Sequence, residues 1–161
     1  MIITLTGHRP QKLGDEYNGV GPYSDWMRFV LRGLLEQHEP SKVISGMALG
    51  ADMIWAEVAL NLNIPVIAAV PFRGQETIWP KKSKDRYFGI LKQCEQTIMV
   101  SQGIYAAFKM QKRNEWMVKN CSFVVAIWDG SEGGTANCVK YAESKNKEVI
   151  IFNPKDAEEL P

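Results

Sequence analysis

Short runs of Val, Ile, Ala and Leu alternate with helix-patterned stretches from one end of this chain to the other, and that alternation constrains its fold more than any other feature. Apolar, β-branched runs at 1–6, 42–45, 65–70, 97–100, 121–128 and 148–152 read as strands. Between them, residues 25–39, 51–63, 82–96, 111–120 and 135–146 read as helices. In the first of these, Trp26, Phe29, Val30, Leu34 and Leu35 share roughly one helical face, and Pro40 ends the pattern. Residues 11–23 carry Gly14, Gly19, Gly21 and Pro22 and read as a loop. The run at 65–70 is apolar without interruption, as expected where both faces of a sheet are covered. Alternation of this kind predicts right-handed crossovers and a single-domain, Rossmann-like α/β fold over residues 1–161, a mostly parallel sheet with helices on both faces. No internal repeat, low-complexity run or linker divides it.

Composition narrows the function classes. A chain of 161 residues buries roughly 70% of its unfolded surface and needs no disulfide or metal staple. The net charge of +1 disfavours a dedicated duplex-binding surface. Cys94, Cys121 and Cys138 are odd in number and lack CxxC spacing, and only His8 and His38 are available as imidazole ligands. Neither a disulfide framework nor a metal site is expected. No window approaches 18 consecutive apolar residues, so no membrane span is expected, and no leader pattern opens the chain. A reduced, cytoplasmic setting is the expectation.

The chemistry sits in the turns that follow the strands, where open parallel sheets bind ligands. In Ser45-Gly46-Met47-Ala48-Leu49-Gly50-Ala51-Asp52, glycines at 46 and 50 permit close backbone approach before a helix begins. A helix N-terminus offers unpaired N–H groups to an anion. Asp52 is either a helix cap or an acceptor for a ligand hydroxyl. Asp129-Gly130-Ser131-Glu132-Gly133-Gly134-Thr135 is a second such turn, in which Thr135 can cap the helix and donate to a phosphate. His8 and Arg9 follow Gly7 directly. Arg9 suits bidentate pairing with phosphate, whereas His8 is an acid, a base or a packing residue. Phe72 or Trp79 could stack on a base, with Arg73 and Gln75 hydrogen-bonding it; the alternative is an ordinary hydrophobic corner. Arg113 and Asn114 are placed near the start of the helix before the fifth strand, where a cation opposes the helix dipole and so suggests a ligand role. Lys81, Lys82, Lys84 and Arg86 form the one basic cluster, read as a solvated helix face.

Taken in this order, the Gly7-His8-Arg9-Pro10 turn, the 45–52 turn, Pro71-Phe72 with Gln75 and Trp79, Arg113-Asn114, and Trp128-Asp129-Gly130 with Gly133-Gly134-Thr135 resemble the SLOG superfamily. That group unites the DNA-processing protein A (Smf) family, the LOG cytokinin-activating enzymes and the YpsA-like proteins. The chain looks most like YpsA-like and phage-encoded members. The resemblance implies a Rossmann-like sheet binding a nucleotide or nucleotide-derived ligand. The 45–52 turn and Gly133-Gly134-Thr135 would hold phosphate and ribose, with Arg9 and Arg113 at the pocket rim. It also implies a homo-oligomer, commonly a dimer. LOG-type phosphoribohydrolases carry a catalytic Glu three residues after the Thr of this turn; here that position is Cys138. A thiol does not replace a carboxylate at an oxocarbenium-like centre, so LOG activity does not transfer.

The residues leave three readings. The leading one is a binding or sensing module for a small-molecule nucleotide that requires no further cofactor. The second is a nucleotide N-glycosidic hydrolase or transferase with a displaced carboxylate, Asp129 or Glu132. The third is a single-stranded-DNA-binding recombination mediator, disfavoured by the near-neutral charge.

Overall fold

The computed structural model describes residues 1–159, so positions 160–161 of the predicted domain lie outside the described residues. Strand and helix alternate as β1 (Ile2–Gly7), α1 (Pro22–His38), β2 (Lys42–Ser45), α2 (Ala51–Asn61), β3 (Val66–Val70), α3 (Lys81–Gln93), β4 (Gln96–Met99), α4 (Phe108–Lys119), β5 (Phe123–Ile127), α5 (Gly134–Ser144) and β6 (Val149–Phe152). Short 3-10 helices add Pro10–Lys12 and Pro154–Glu159. The six strands form one sheet in the order β4-β3-β2-β1-β5-β6, and every neighbouring pair is parallel. This is the α/β architecture that the alternation predicts.

Side chains alternate across each strand and build two layers. Ile3, Leu5, Val43, Val66, Val125 and Ile127 pack with α1, α2 and α3. On the opposite face, Ile44 and Ala69 meet Met117 of α4, and Val124 meets Val118, Cys138 and Ala142. Trp55 anchors α2 to the sheet: it is fully buried, and its Nε1 donates to the Ile44 carbonyl at 3.0 Å. Burying a side chain of this kind stabilises by about 1.5–3 kcal/mol, and pairing its N–H avoids the penalty of an orphaned donor.

Strand order reverses at β1. The chain steps from β1 through β2 and β3 to β4 on one side, then returns to place β5 and β6 on the other. The crevice beyond the carboxyl ends of β1 and β5 is therefore the topological switch point.

Several boundaries shift by one to three residues from the sequence expectation, and the early starts of α1 and α4 have local reasons. Helix α1 starts at Pro22, inside the segment read as loop. Pro suits the first helical position, and the Glu16 carboxylate caps the helix from outside, accepting from the N–H groups of Tyr23 and Ser24 at 3.0 and 2.7 Å. The same segment also contains the Pro10–Lys12 turn. Helix α4 starts at Phe108, so Arg113 lies in its second turn, not at its mouth. Arg113 therefore does not oppose the dipole at a helix start; burial is what distinguishes it.

Candidate functional site

A cavity of about 300 Å³ opens at the switch point. That volume is at the small end of the range for ligand pockets. Four segments wall it. The turn after β1 contributes Gly7, His8, Arg9 and Lys12. The 45–52 turn and α2 contribute Ala48 and Asp52. Helix α4 contributes Met110, Arg113 and Asn114. The turn after β5 contributes Ser131, Glu132, Gly133, Gly134 and Thr135.

The turns after β1 and β5 are tied together. His8 Nε2 lies 2.9 Å from Asp129 Oδ1 and 3.1 Å from the Asp129 backbone nitrogen. Burial holds His8 below its usual value, against the opposing pull of the Asp129 carboxylate. Nε2 serves one of these partners at a time: protonated it donates to Asp129 Oδ1, and deprotonated it accepts from the Asp129 N–H. Asp129 is held well below the usual carboxylate range, first by the Ser131 hydroxyl and N–H and then by His8. Trp128 Nε1 donates to the Ser131 carbonyl at 2.8 Å and stiffens the same turn. Lys12 reaches across the cavity, its Nζ donating to Ser131 Oγ at 2.5 Å and to the Glu132 carbonyl at 3.4 Å.

The turn before α2 is pressed against the first loop. The Ala51 N–H donates to the His8 carbonyl at 3.2 Å. Gly50 adopts φ +94°, and a Cβ there would stand 2.6 Å from the His8 carbonyl oxygen. Only glycine accommodates both demands. Asp52 lies at the second position of α2 and does not cap it; its Oδ2 accepts the Ala48 N–H at 3.3 Å. Ser45 is fully buried and fixes the turn by donating to the Asp52 carbonyl at 2.8 Å.

Arg113 is enclosed, with only 4% of its surface exposed. Its Nη1 donates to the Gly46 carbonyl at 2.6 Å and its Nε to Asn114 Oδ1 at 3.0 Å. Among the described residues Nη2 and Asn114 Nδ2 have no protein partner, and both residues face the cavity. Burial lowers the Arg113 pKa and raises that of Asp52, while each charge counters the shift of the other. A guanidinium keeps its proton even so, and the Asp52 carboxylate is its internal counter-charge.

Helix α5 opens on a glycine turn at the cavity wall. Gly133 is its N-cap, with φ +139° and no side-chain cap. Thr135 is therefore at the second helical position and is not the cap that the sequence suggested. The Asn137 N–H reaches the Gly133 carbonyl, but among the described residues the N–H groups of Gly134, Thr135 and Ala136 have no partner. These donors, Lys12, Arg9 and Arg113 converge on one space. Three cations face only Asp52 and the exposed Glu132 in the cavity wall.

Other predicted site residues stand outside this wall. Gln75 is buried and props the 45–52 turn, its Nε2 donating to the Gly46 and Met47 carbonyls at 3.5 and 3.4 Å. Phe72 is buried edge-on to Tyr105, and Trp79 packs edge-on to Tyr87 in the core. Arg73 and Gly130 are exposed. Ser45, Gly46, Gly50 and Asp129 are not in the cavity wall, but they hold the turns that form it. Lys12, Ser131 and Met110 join the wall without having stood out in the sequence. The signal for Lys12 was its position two residues beyond Pro10, on the short helix that follows Arg9. Among the described residues no cluster of three or more His, Cys, Asp or Glu is placed to hold a metal, and no helix is long and apolar enough to cross a membrane.

Fold and cavity together define a parallel α/β protein with a cavity at its switch point lined by Arg9, Lys12 and Arg113. The profile of the YspA SLOG family matches residues 3–156, and the chain belongs to that family. It is 32% identical over 135 residues to the SPbeta prophage-derived protein YoqJ of Bacillus subtilis, covering 74% of this chain and 79% of that one. It is 23% identical over 171 residues to a UPF0398 protein of Halalkalibacterium halodurans, covering 98% and 90%. Among solved structures, DNA processing protein A from Helicobacter pylori superposes with TM-score 0.67 at 17% identity, covering 94% of this chain and 64% of that one. The molybdenum cofactor carrier protein of Chlamydomonas reinhardtii gives TM-score 0.60 at 17% identity, covering 98% and 80%. These two likenesses establish the fold alone.

Proposed function

We propose that this chain binds a nucleotide or nucleotide-derived ligand through its phosphate in the switch-point cavity, as a binding or sensing module. The observation that carries this reading is the set of three unpaired N–H groups at α5, facing the same space as Lys12 and the unpartnered Nη2 of Arg113. Unpaired donors, a helix dipole and buried cationic charge all favour a phosphate. No further cofactor is invoked, and assembly into a homodimer or higher oligomer in the cytoplasm goes with the family resemblance.

Binding is favoured over turnover by the position three residues after Thr135. Cys138 is fully enclosed there, and burial pushes its thiol up to about 11. It presents no anionic group to a developing positive charge. Asp129 and Glu132 are the carboxylates that an N-glycosidase reading would use, and Asp129 is already committed to His8 and Ser131.

A thermal-shift screen with mono-, di- and cyclic nucleotides and ADP-ribose tests the proposal. A ligand at 100 times its Kd stabilises by about 2.7 kcal/mol. No shift with any of them refutes it. Free base released from the same panel would move the reading to N-glycosidic chemistry. A structural neighbour's described single-stranded DNA binding motivates a third arm, a mobility shift at low salt.

A further inference from the structure

The two edges of the sheet are built differently. At β4 the edge is polar: Gln96 and Thr97 are exposed, and Glu95 just before them pairs with Lys42 at 3.0 Å. At β6 the edge is Val149-Ile150-Ile151-Phe152, which holds no charge and no proline, the devices that ordinarily keep an edge strand from pairing. Its outward backbone is open. The Val124 and Trp128 N–H groups donate to the Glu148 and Phe152 carbonyls. That register makes Ile150 and Phe152 the residues bonded to β5 and turns the N–H and carbonyl of Val149 and Ile151 away from it. Among the described residues these outward groups have no backbone partner. By the same alternation Asn153 offers its N–H outward, while its carbonyl accepts from the Asp156 N–H. A groove of about 540 Å³ runs between β6 and α1, lined by Val30, Leu34, Ile150 and Phe152, and Phe29 stands 74% exposed at its wall. An open apolar strand beside an apolar groove marks an interaction surface.

The surface is self-complementary, which selects a second copy of this chain as its occupant. A strand paired with its own mate about a two-fold axis runs antiparallel to it. With the axis at Ile151, the N–H and carbonyl of Ile151 bond to those of Ile151 in the second copy. The Asn153 N–H of each copy then reaches the Val149 carbonyl of the other. The charges fit the same axis. Exposed Glu148 falls beside the exposed Lys155 of the second copy. Lys147 would otherwise oppose that lysine, but its Nζ donates to the Cys121 carbonyl at 2.6 Å. On α1 the two-fold reverses the order of Arg32 and Glu36, paired at 2.7 Å, so that basic meets acidic across the seam. An unrelated strand has no reason to match this palindrome. We infer that β6 is the docking edge for β6 of a second copy, joined antiparallel into one continuous sheet, with Phe29 of each α1 covering the groove at the seam. The inference rests on the proposed assembly, for which it names the surface, and not on the ligand of the switch-point cavity.

Sedimentation velocity of the full chain across a dilution series should show a reversible dimer. Ile151→Pro removes an N–H that β5 does not use, so the fold is kept while the dimer loses the bond from each copy. Its dissociation constant should rise about tenfold or more. Phe29→Glu, at an exposed position, should raise it by about the same factor by placing a charge in the apolar groove. Met99→Lys on the opposite edge should leave it unchanged. Ile151→Cys should cross-link to itself with diamide as oxidant, because residues opposed in a bonded antiparallel pair have Cα atoms about 5.5 Å apart, within disulfide reach. Met99→Cys should not. A chain that sediments as a monomer at every concentration overturns the assembly and this inference together. A dimer whose dissociation constant is unmoved in Ile151→Pro or in Phe29→Glu, or that cross-links through Met99→Cys and not through Ile151→Cys, overturns the β6 surface and leaves the assembly standing. If Ile151→Pro does not fold, Phe29→Glu and the Ile151→Cys cross-link decide the question.

Discussion

Gly46→Ala should damage both the fold and the pocket, through Arg113. A Cβ at position 46 would stand 2.6 Å from Arg113 Nη1, 2.7 Å from its Cζ and 2.9 Å from Asp52 Oδ2. The backbone at Gly46 is not left-handed, so the penalty is steric. The guanidinium is long and flexible, but it is enclosed and already donates to the Gly46 carbonyl at 2.6 Å. Overpacking costs about 1–3 kcal/mol, and weakening a charge-assisted hydrogen bond adds about 1.5–3 kcal/mol. A net loss of about 3–5 kcal/mol lowers Tm by roughly 6–20 °C in a domain of this size. Thermal unfolding followed by circular dichroism reads the shift. Calorimetry with ribose 5-phosphate should show affinity falling about tenfold as the guanidinium leaves its place. Gly134→Ala is the matched control: a Cβ there meets no atom within 4 Å, so Tm should move by less than about 2 °C. A Gly46→Ala protein that melts within about 2 °C of the natural chain and binds equally well refutes this account of the 45–52 turn.

Neighbouring features carry further expected outcomes. Lys12→Ala should weaken phosphate binding roughly three- to tenfold and flatten its salt dependence, with little change in Tm because Lys12 is exposed. Gly33→Ala, with nothing within 4 Å of its Cβ in the interior of α1, should stabilise by about 0.5–1 kcal/mol in denaturant unfolding. His8 has a folded pKa below 6.5, so the unfolded chain binds more protons just below that value; stability should fall as pH drops through 6.5 toward the folded value, and His8→Gln should remove that slope. Asp129 contributes stability that is fully present above its ordinary value of 3.8 and fades as pH falls toward its depressed folded value, a loss that Asp129→Asn should abolish in acid unfolding curves. Burial raises all three thiols to about 11, so alkylation at pH 8 should be slow in the folded chain and fast in denaturant.

The alternation of apolar runs made the sheet legible because each run is long enough to cross it and each is cut by Gly, Pro or a polar turn. Lys42–Ser45 begins and ends where the run does. Helix starts were harder to read where the cap lies far away in sequence. Glu16 caps α1 across seven residues, and α4 begins after Ala107 with no capping side chain at all. The glycine turns announced the site because close approach of His8 to the 45–52 turn demands glycine at position 50. Proximity to a helix start is the wrong reason to single out Arg113: its strength as a candidate is burial beside Asp52, a tertiary fact. Phe72 and Gln75 follow a strand end as ligand residues do, yet Gln75 spends its amide on the backbone of the 45–52 turn. Apart from its place just after Arg9 and Pro10, Lys12 is unmarked in the sequence because its partners, Ser131 and Glu132, are 119 and 120 residues away along the chain.

The central claim is that phosphate docks on the unpaired N–H groups of α5. Nuclear magnetic resonance of the ¹⁵N-labelled chain titrated with ribose 5-phosphate addresses those atoms one by one. The account predicts saturable downfield movement of the Gly134, Thr135 and Ala136 amide protons, larger than at any amide remote from the cavity and reduced in Lys12→Ala. Saturable changes confined to other surfaces, with these three amides unmoved, would contradict it.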